Sequence, residues 1–105
     1  MKQNFYISEA IWEYFKEIRK HFSTGTQAID ALYHIPMEHN PEPPVGNYSW
    51  RCFSLSKKMK YEITWLAEHL DKSPSEIFTM LVFNYYLHAY IILQKIEKLK
   101  KSINL

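Results

Sequence analysis

The chain has 105 residues, 47% hydrophobic and 16% aromatic, so it can form one domain with a packed core. Its two glycines exclude a glycine-rich phosphate loop, and its single cysteine excludes an internal disulfide. The net charge of +2 divides into 0 over residues 1–35, −2 over 36–49 and +4 over 50–105, which permits a polyanionic partner without requiring one. The N-terminal stretch lacks the apolar run of a signal peptide, so we expect a cytoplasmic protein.

Residues 1–35 predict a strand followed by two helices. Lys2–Ile7 alternates between polar and apolar side chains, which is the period of a strand. Ser8 then has the position of a helix N-cap, and the apolar residues after it recur at helical spacing: Ile11, Phe15, Ile18 and Phe22. Thr24 and Gln27 form a second capping box, which predicts another helix up to Pro36.

Residues 36–49 predict an extended linker. They contain four prolines and one glycine, a composition that favours no helix. At up to ~3.3 Å per residue such a linker spans more than about 40 Å. It is therefore long enough to cross a small globule and deliver a second strand beside the first.

Residues 50–105 predict the same order of elements. Trp50–Leu55 has the pattern of a strand, Ser56 has the position of an N-cap, and a helical apolar face follows: Met59, Ile63, Leu66 and Leu70. Ser73, Pro74 and Glu76 open a last helix, which we expect to be long. Its uncharged stretch is at the short limit for a membrane span and follows a strong cap, so we expect a buried helix and no membrane.

The two segments match each other at an offset of 48 residues without a gap. Ser8 coincides with Ser56, and the apolar positions of the first predicted helix coincide with those of the third. A matching strand, cap and helical pair predict an internal duplication.

The stretch at 53–77 resembles the ribbon-helix-helix family of DNA-binding proteins (Arc/MetJ/CopG type). The similar features are the strand exit FSLS and the helix opening SPSEI, while Asp71 occupies the usual glycine position. The resemblance covers residues 50–90 well and 2–35 more loosely. It implies a mostly α fold: two tandem motifs at 1–35 and 50–105, one intrachain two-stranded antiparallel ribbon, and four main helices with a long last one. Together they would form one pseudo-dimeric domain.

In that family the ribbon enters the major groove of duplex DNA. Strand parity predicts an inward set, Phe5, Ile7, Phe53 and Leu55, and an outward, base-reading set, Lys2, Asn4, Tyr6, Trp50, Cys52 and Ser54. Asn4 could bond an adenine edge, and Lys2 a guanine or a phosphate. The second strand offers poor readers, and we expect its Arg51 at a frayed start, so the first strand would do most of the reading.

The family also grips phosphate with the backbone N–H groups that open the second helix of each motif. The candidate phosphate contacts are therefore Gly25, Thr26, Gln27, Ser73 and Ser75, together with Lys57 and Lys58 in a neighbouring first turn. Plain helix caps and solvated faces are the alternative interpretations of these residues.

The resemblance implies a sequence-specific DNA-binding regulator, repressor-like and without enzymatic chemistry. The alternative is a protein–protein or oligomerisation module on the same fold, with a homodimer formed through the long last helix. We expect no cofactor and no metal site, since the five histidines match no firm ligand spacing and no residue constellation indicates catalysis.

Overall fold

The computed structural model of the protein describes residues 1–34 and 46–103. In chain order the elements are β1 (Lys2–Ser8), α1 (Glu9–Arg19), α2 (Gly25–Leu32), β2 (Tyr48–Ser54), α3 (Lys57–Leu70), α4 (Pro74–Tyr85), a π-helical segment (Tyr86–Tyr90) and α5 (Ile91–Ile103). The predicted linker lies outside the described residues except for its last four. Two of those four, Tyr48 and Ser49, belong to β2, which therefore begins before its predicted start.

β1 and β2 pair antiparallel within the one chain, in a register that runs from Lys2 opposite Ser54 to Ser8 opposite Tyr48. The predicted intrachain ribbon is thus confirmed. The predicted inward side chains are buried, each at most 5% exposed: Phe5, Ile7, Phe53 and Leu55. One face of the ribbon is therefore covered by the helices, and the other faces solvent.

Four side-chain caps start the helices, as the sequence predicts. Ser8, Thr24, Ser56 and Ser73 each accept a hydrogen bond from the backbone N–H three residues later. Ser8 and Ser56 are 48 residues apart, whereas Thr24 and Ser73 are 49 apart. The gapless match is therefore wrong beyond the first helix of each segment, because α3 is three residues longer than α1 and its connection to the next helix is two residues shorter.

The centre of the core is a cluster of four phenylalanines, one from each of β1, α1, β2 and α4: Phe5, Phe15, Phe53 and Phe78. The Phe78 ring stacks on Phe5 with ring centroids 4.6 Å apart and planes 8° apart. It also lies 4.6 Å from the Phe53 ring. Because Phe78 touches both strands, α4 is the helix that holds the ribbon to the core.

The last helix is continuous from Pro74 to Ile103, with the π-helical segment inside it. By length and composition alone this stretch could cross a membrane, but 53% of its most apolar window is buried inside the protein. Packing explains that hydropathy, since core helices pass the same test. The Tyr90 hydroxyl donates to Glu17 Oε2 at 3.1 Å and joins the π-helical segment to α1. Beyond it, α5 extends away from the core.

Candidate nucleic-acid interface

The solvent-facing side of the ribbon holds every residue that the sequence assigns to base reading. All six are exposed: Lys2, Asn4, Tyr6, Trp50, Cys52 and Ser54. Tyr48 is exposed on the same face and was not predicted there, because its residue range was assigned to the linker. The signal was present in the sequence, since Tyr48, Trp50 and Cys52 share one strand parity. No residue of this outward set is acidic.

The register divides the face into two unlike ends. Asn4 pairs with Cys52, its own counterpart at the offset of 48, so the two-fold relation between the segments passes through this pair. That relation exchanges Lys2 with Trp50 and Tyr6 with Ser54. The Lys2–Ser54 pair forms a polar end, and the Tyr6–Trp50 pair forms an aromatic end. The two ends of the ribbon therefore differ from each other, whereas the sequence predicts a difference between the two strands.

The aromatic end is a row of three exposed rings. The Tyr6 ring lies between the other two, with its centroid 5.3 Å from that of Tyr48 and 5.2 Å from that of Trp50. The exposed fractions are 45% for Tyr6, 42% for Tyr48 and 66% for Trp50. Such cross-strand contacts stabilise a ribbon, and the high exposure of Trp50 leaves its ring largely accessible.

The polar end is held in place by the chain terminus and by α2. The N-terminal amine donates to Leu55 O at 3.0 Å, and Leu55 N donates to Met1 O at 2.7 Å. The Thr26 hydroxyl donates to Ser54 O at 3.1 Å, which fixes the start of α2 beside this end of the ribbon. Lys2 is therefore presented next to a helix N-terminus.

The start of α2 has the features of an anion site. The N–H groups of Gly25 and Thr26 have no acceptor within the helix, and the first turn contains no acidic residue. A cavity of about 460 Å³ adjoins them and is also lined by Lys16 and Arg19. Lys16 contacts Glu13 at 2.8 Å in an exposed pair, so Arg19 is the cation better placed to meet a phosphate here.

The start of α4 lacks these features. Both helix starts have one N–H taken by the cap, that of Gln27 by Thr24 and that of Glu76 by Ser73, but at α4 Pro74 also has no N–H to offer. The Glu76 carboxylate accepts from Ser73 Oγ at 3.3 Å, so a negative charge already stands at this helix start. Ser75 Oγ accepts from Tyr6 N at 2.8 Å and docks α4 on the aromatic end. Ser73 and Ser75 thus serve the helix and the ribbon.

Lys57 and Lys58 are exposed in the first turn of α3, which contains no acidic side chain. Their turn follows the end of β2 at the polar end of the ribbon. The cap of α3, Ser56, donates to Asp30 Oδ1 of α2 at 2.7 Å and ties the two helices together. Lys58 also lines a cavity with Asp30, Tyr33 and His34, so it lies beside the C-terminal half of α2 and not beside the helix start.

Arg51 is not at a frayed strand start, where the sequence placed it. It pairs with Phe5 in the middle of the ribbon, because β2 begins three residues earlier. Its guanidinium lies over the Trp12 ring, 4.3 Å from the centroid. Its Nε is buried and has no hydrogen-bond partner among residues 1–34 and 46–103. Arg51 therefore packs the ribbon against α1 and does not face the groove side.

Comparison with known proteins adds one partial similarity. Over 58 residues, 55% of the chain, the sequence is 40% identical to an arginine–tRNA ligase of Clostridium beijerinckii. The chain spans only 10% of that enzyme's length, so this similarity shows no shared family. No family model matches the chain, and no solved structure matches it.

Proposed function

We propose that the chain is a tandem ribbon-helix-helix protein that binds duplex DNA through the β1–β2 ribbon and represses transcription in the cytoplasm by occluding an operator. The observation that carries the proposal is the intrachain antiparallel ribbon, with one face buried on the helices and the other exposed and free of acidic side chains. A two-stranded ribbon has the width of the major groove, and phosphate contacts beside it would fix its register.

The polar end is the half that suits duplex DNA. Lys2 can bond guanine, and Asn4 can bond adenine in bidentate fashion. The free N–H groups at the start of α2, with Arg19 beside them, would grip the neighbouring phosphate. At the aromatic end the residue that corresponds to Lys2 is Trp50, which has no comparable hydrogen-bonding group for a guanine edge. We therefore expect direct reading of one half-site and an asymmetric operator.

The test is selection from a random-sequence duplex library, followed by anisotropy titrations at about 50 and 200 mM salt. The protein should bind the selected duplex more tightly than a scrambled one, and log affinity should fall with log salt by roughly 0.9 per phosphate contact. Lys2→Ala with Asn4→Ala should abolish the discrimination, at about 1–3 kcal/mol per base contact.

Lys101→Ala on α5 is the matched control, since it removes one exposed positive charge away from the ribbon. It should leave the discrimination unchanged. Failure to bind any duplex at low salt, or discrimination that survives the double substitution, would show that the ribbon does not read duplex DNA. A tRNA competitor belongs in the same titration, because the clostridial relative is by its name a tRNA ligase. Preference for tRNA over every duplex would replace DNA as the ligand.

A second candidate function is self-association through α5. This helix exposes four large apolar side chains at spacings of four, three and four: Ile92, Ile96, Leu99 and Ile103. Such a stripe is the seam of a helix pair. Helical geometry puts Lys95 and Lys100 on either side of it, so two copies would also repel each other.

Salt separates the two candidate functions. Screening of the lysines should strengthen self-association as salt rises, whereas DNA binding should weaken. Sedimentation velocity at low and high salt measures the first effect. Ile96→Asp should keep the chain monomeric, and Ser102→Asp, which adds the same charge outside the stripe, should not. A monomer at all concentrations and salts would refute the association module.

A further inference from the structure

The row of three rings at the aromatic end is built differently from the rest of the exposed surface. Tyr6 contacts a ring on each side: it stacks on Tyr48 with planes 26° apart, and it lies against Trp50 with planes tilted by 44°. Trp50 ends the row and is 66% exposed. The exposed Trp50 ring therefore offers a face on which a planar ligand can stack.

The position of the row makes a nucleobase the fitting occupant. It lies on the same outward face as Lys2 and Asn4, and no acidic residue of the ribbon points to that side. A cavity of about 140 Å³ beside Tyr6 and Tyr48 is lined by both Lys72 and Glu76, whose charged groups lie 3.8 Å apart, so the charge beside the rings is balanced. Exposed aromatic side chains are the groups on which unpaired bases stack, so the contact expected here is made by the rings and not by a phosphate clamp.

We propose that the Tyr48–Tyr6–Trp50 row stacks an unpaired base, so that the preferred ligand is a duplex with a single-stranded extension. This inference rests on the proposed function, since the polar end of the same ribbon must hold the duplex. It also accounts for the weak start of α4: the aromatic end lacks a phosphate clamp because it contacts the unpaired part of the ligand through rings.

The experiment compares a blunt duplex with the same duplex carrying a short single-stranded extension at either end. The native protein should bind one of the extended duplexes on the order of tenfold more tightly than the blunt one. Trp50→Val removes the ring and keeps a strand-favouring side chain, so it should abolish the preference, measured as the ratio of the affinity for the extended duplex to that for the blunt duplex. Trp50→Tyr, which keeps a smaller ring and the fold, should retain part of the preference.

Trp65→Leu is the matched control. Trp65 is also exposed and stacked, on His69 at 3.8 Å between ring centroids, but it lies on α3. Its loss should not change the preference for the extension. Quenching of tryptophan emission by the extended duplex should likewise disappear in Trp50→Val and persist in Trp65→Leu.

The outcomes separate this inference from the proposed function. Equal affinity of the native protein for blunt and extended duplexes overturns the inference and leaves the proposed function standing. A preference that persists in Trp50→Val, with melting as in the native protein, also overturns the inference alone. The absence of binding to every duplex overturns both. Loss of the preference in Trp50→Val, with partial retention in Trp50→Tyr, supports the stacking site.

Discussion

Asp71→Gly should stabilise the protein. Asp71 ends α3 in the left-handed conformation, at φ 51° and ψ 50°, and it is the only non-glycine residue with positive φ among those described. Its N–H and that of Lys72 both turn back to Ala67 O, which is a helix end typical of glycine. Asp71 also stands where the ribbon-helix-helix pattern that this stretch resembles usually has glycine.

Two contributions raise the free energy of unfolding of Asp71→Gly, and one lowers it. Glycine removes a Cβ clash of about 1 kcal/mol, somewhat less for aspartate than for other residues. It also removes a carboxylate from the negative end of the α3 dipole, which adds about 0.3–1 kcal/mol. The greater backbone freedom of glycine in the unfolded chain costs about 0.5–1 kcal/mol. The expected net stabilisation is therefore about 0.5 kcal/mol or somewhat more.

Urea denaturation with unchanged m-value measures this gain, and the melting temperature should rise by about 2–5 °C. Asp71→Ala is the control: it removes the charge but keeps a Cβ, so it should be less stable than Asp71→Gly. At the end of α1, Lys20 has φ −58° and ψ −21°, so Lys20→Gly should destabilise by up to about 1 kcal/mol. Asp71→Gly no more stable than Asp71→Ala would refute the reasoning from backbone strain.

Two further predictions concern the core and pH. Phe78→Ala should destabilise by about 3–5 kcal/mol in urea titrations, because the ring is fully buried and stacked; the half-buried Phe22→Ala should cost much less. Hydrogen bonds from Lys20 and Tyr90 lower the pKa of Glu17. The contribution of ionised Glu17 to stability is therefore complete above its unfolded-state pKa, and it is lost as pH falls through its folded-state pKa. Between neutral and acidic pH, the melting temperature of Glu17→Gln should fall less than that of the native protein. Equal falls in the two proteins would contradict this prediction.

The fold elements that the sequence predicts are those with local causes. A serine or threonine cap satisfies N–H groups within its own turn, so Ser8, Thr24, Ser56 and Ser73 can be recognised without the rest of the chain. Strand parity is equally local, and it correctly separates the buried from the exposed side of the ribbon. These two signals suffice for the order of the elements and for the inward face.

The features that the sequence does not predict depend on pairing across the chain. Tyr48 joins the strand only because Ser8 lies opposite it, and Arg51 packs on Trp12 only because the ribbon lies on α1. α3 is three residues longer than α1 and ends at Asp71 in a left-handed conformation, which no periodicity reveals. The two unlike ends of the ribbon likewise follow from the register alone.

The two ends of the ribbon differ in their side chains and in the helix start that lies beside each of them. At the polar end, Lys2 lies beside a helix start with free N–H groups and no acidic side chain. At the aromatic end, Trp50 stands 48 residues after Lys2, and the neighbouring helix start has Pro74 and Glu76. The proposed duplex contact and the proposed stacking contact therefore lie at opposite ends of the ribbon.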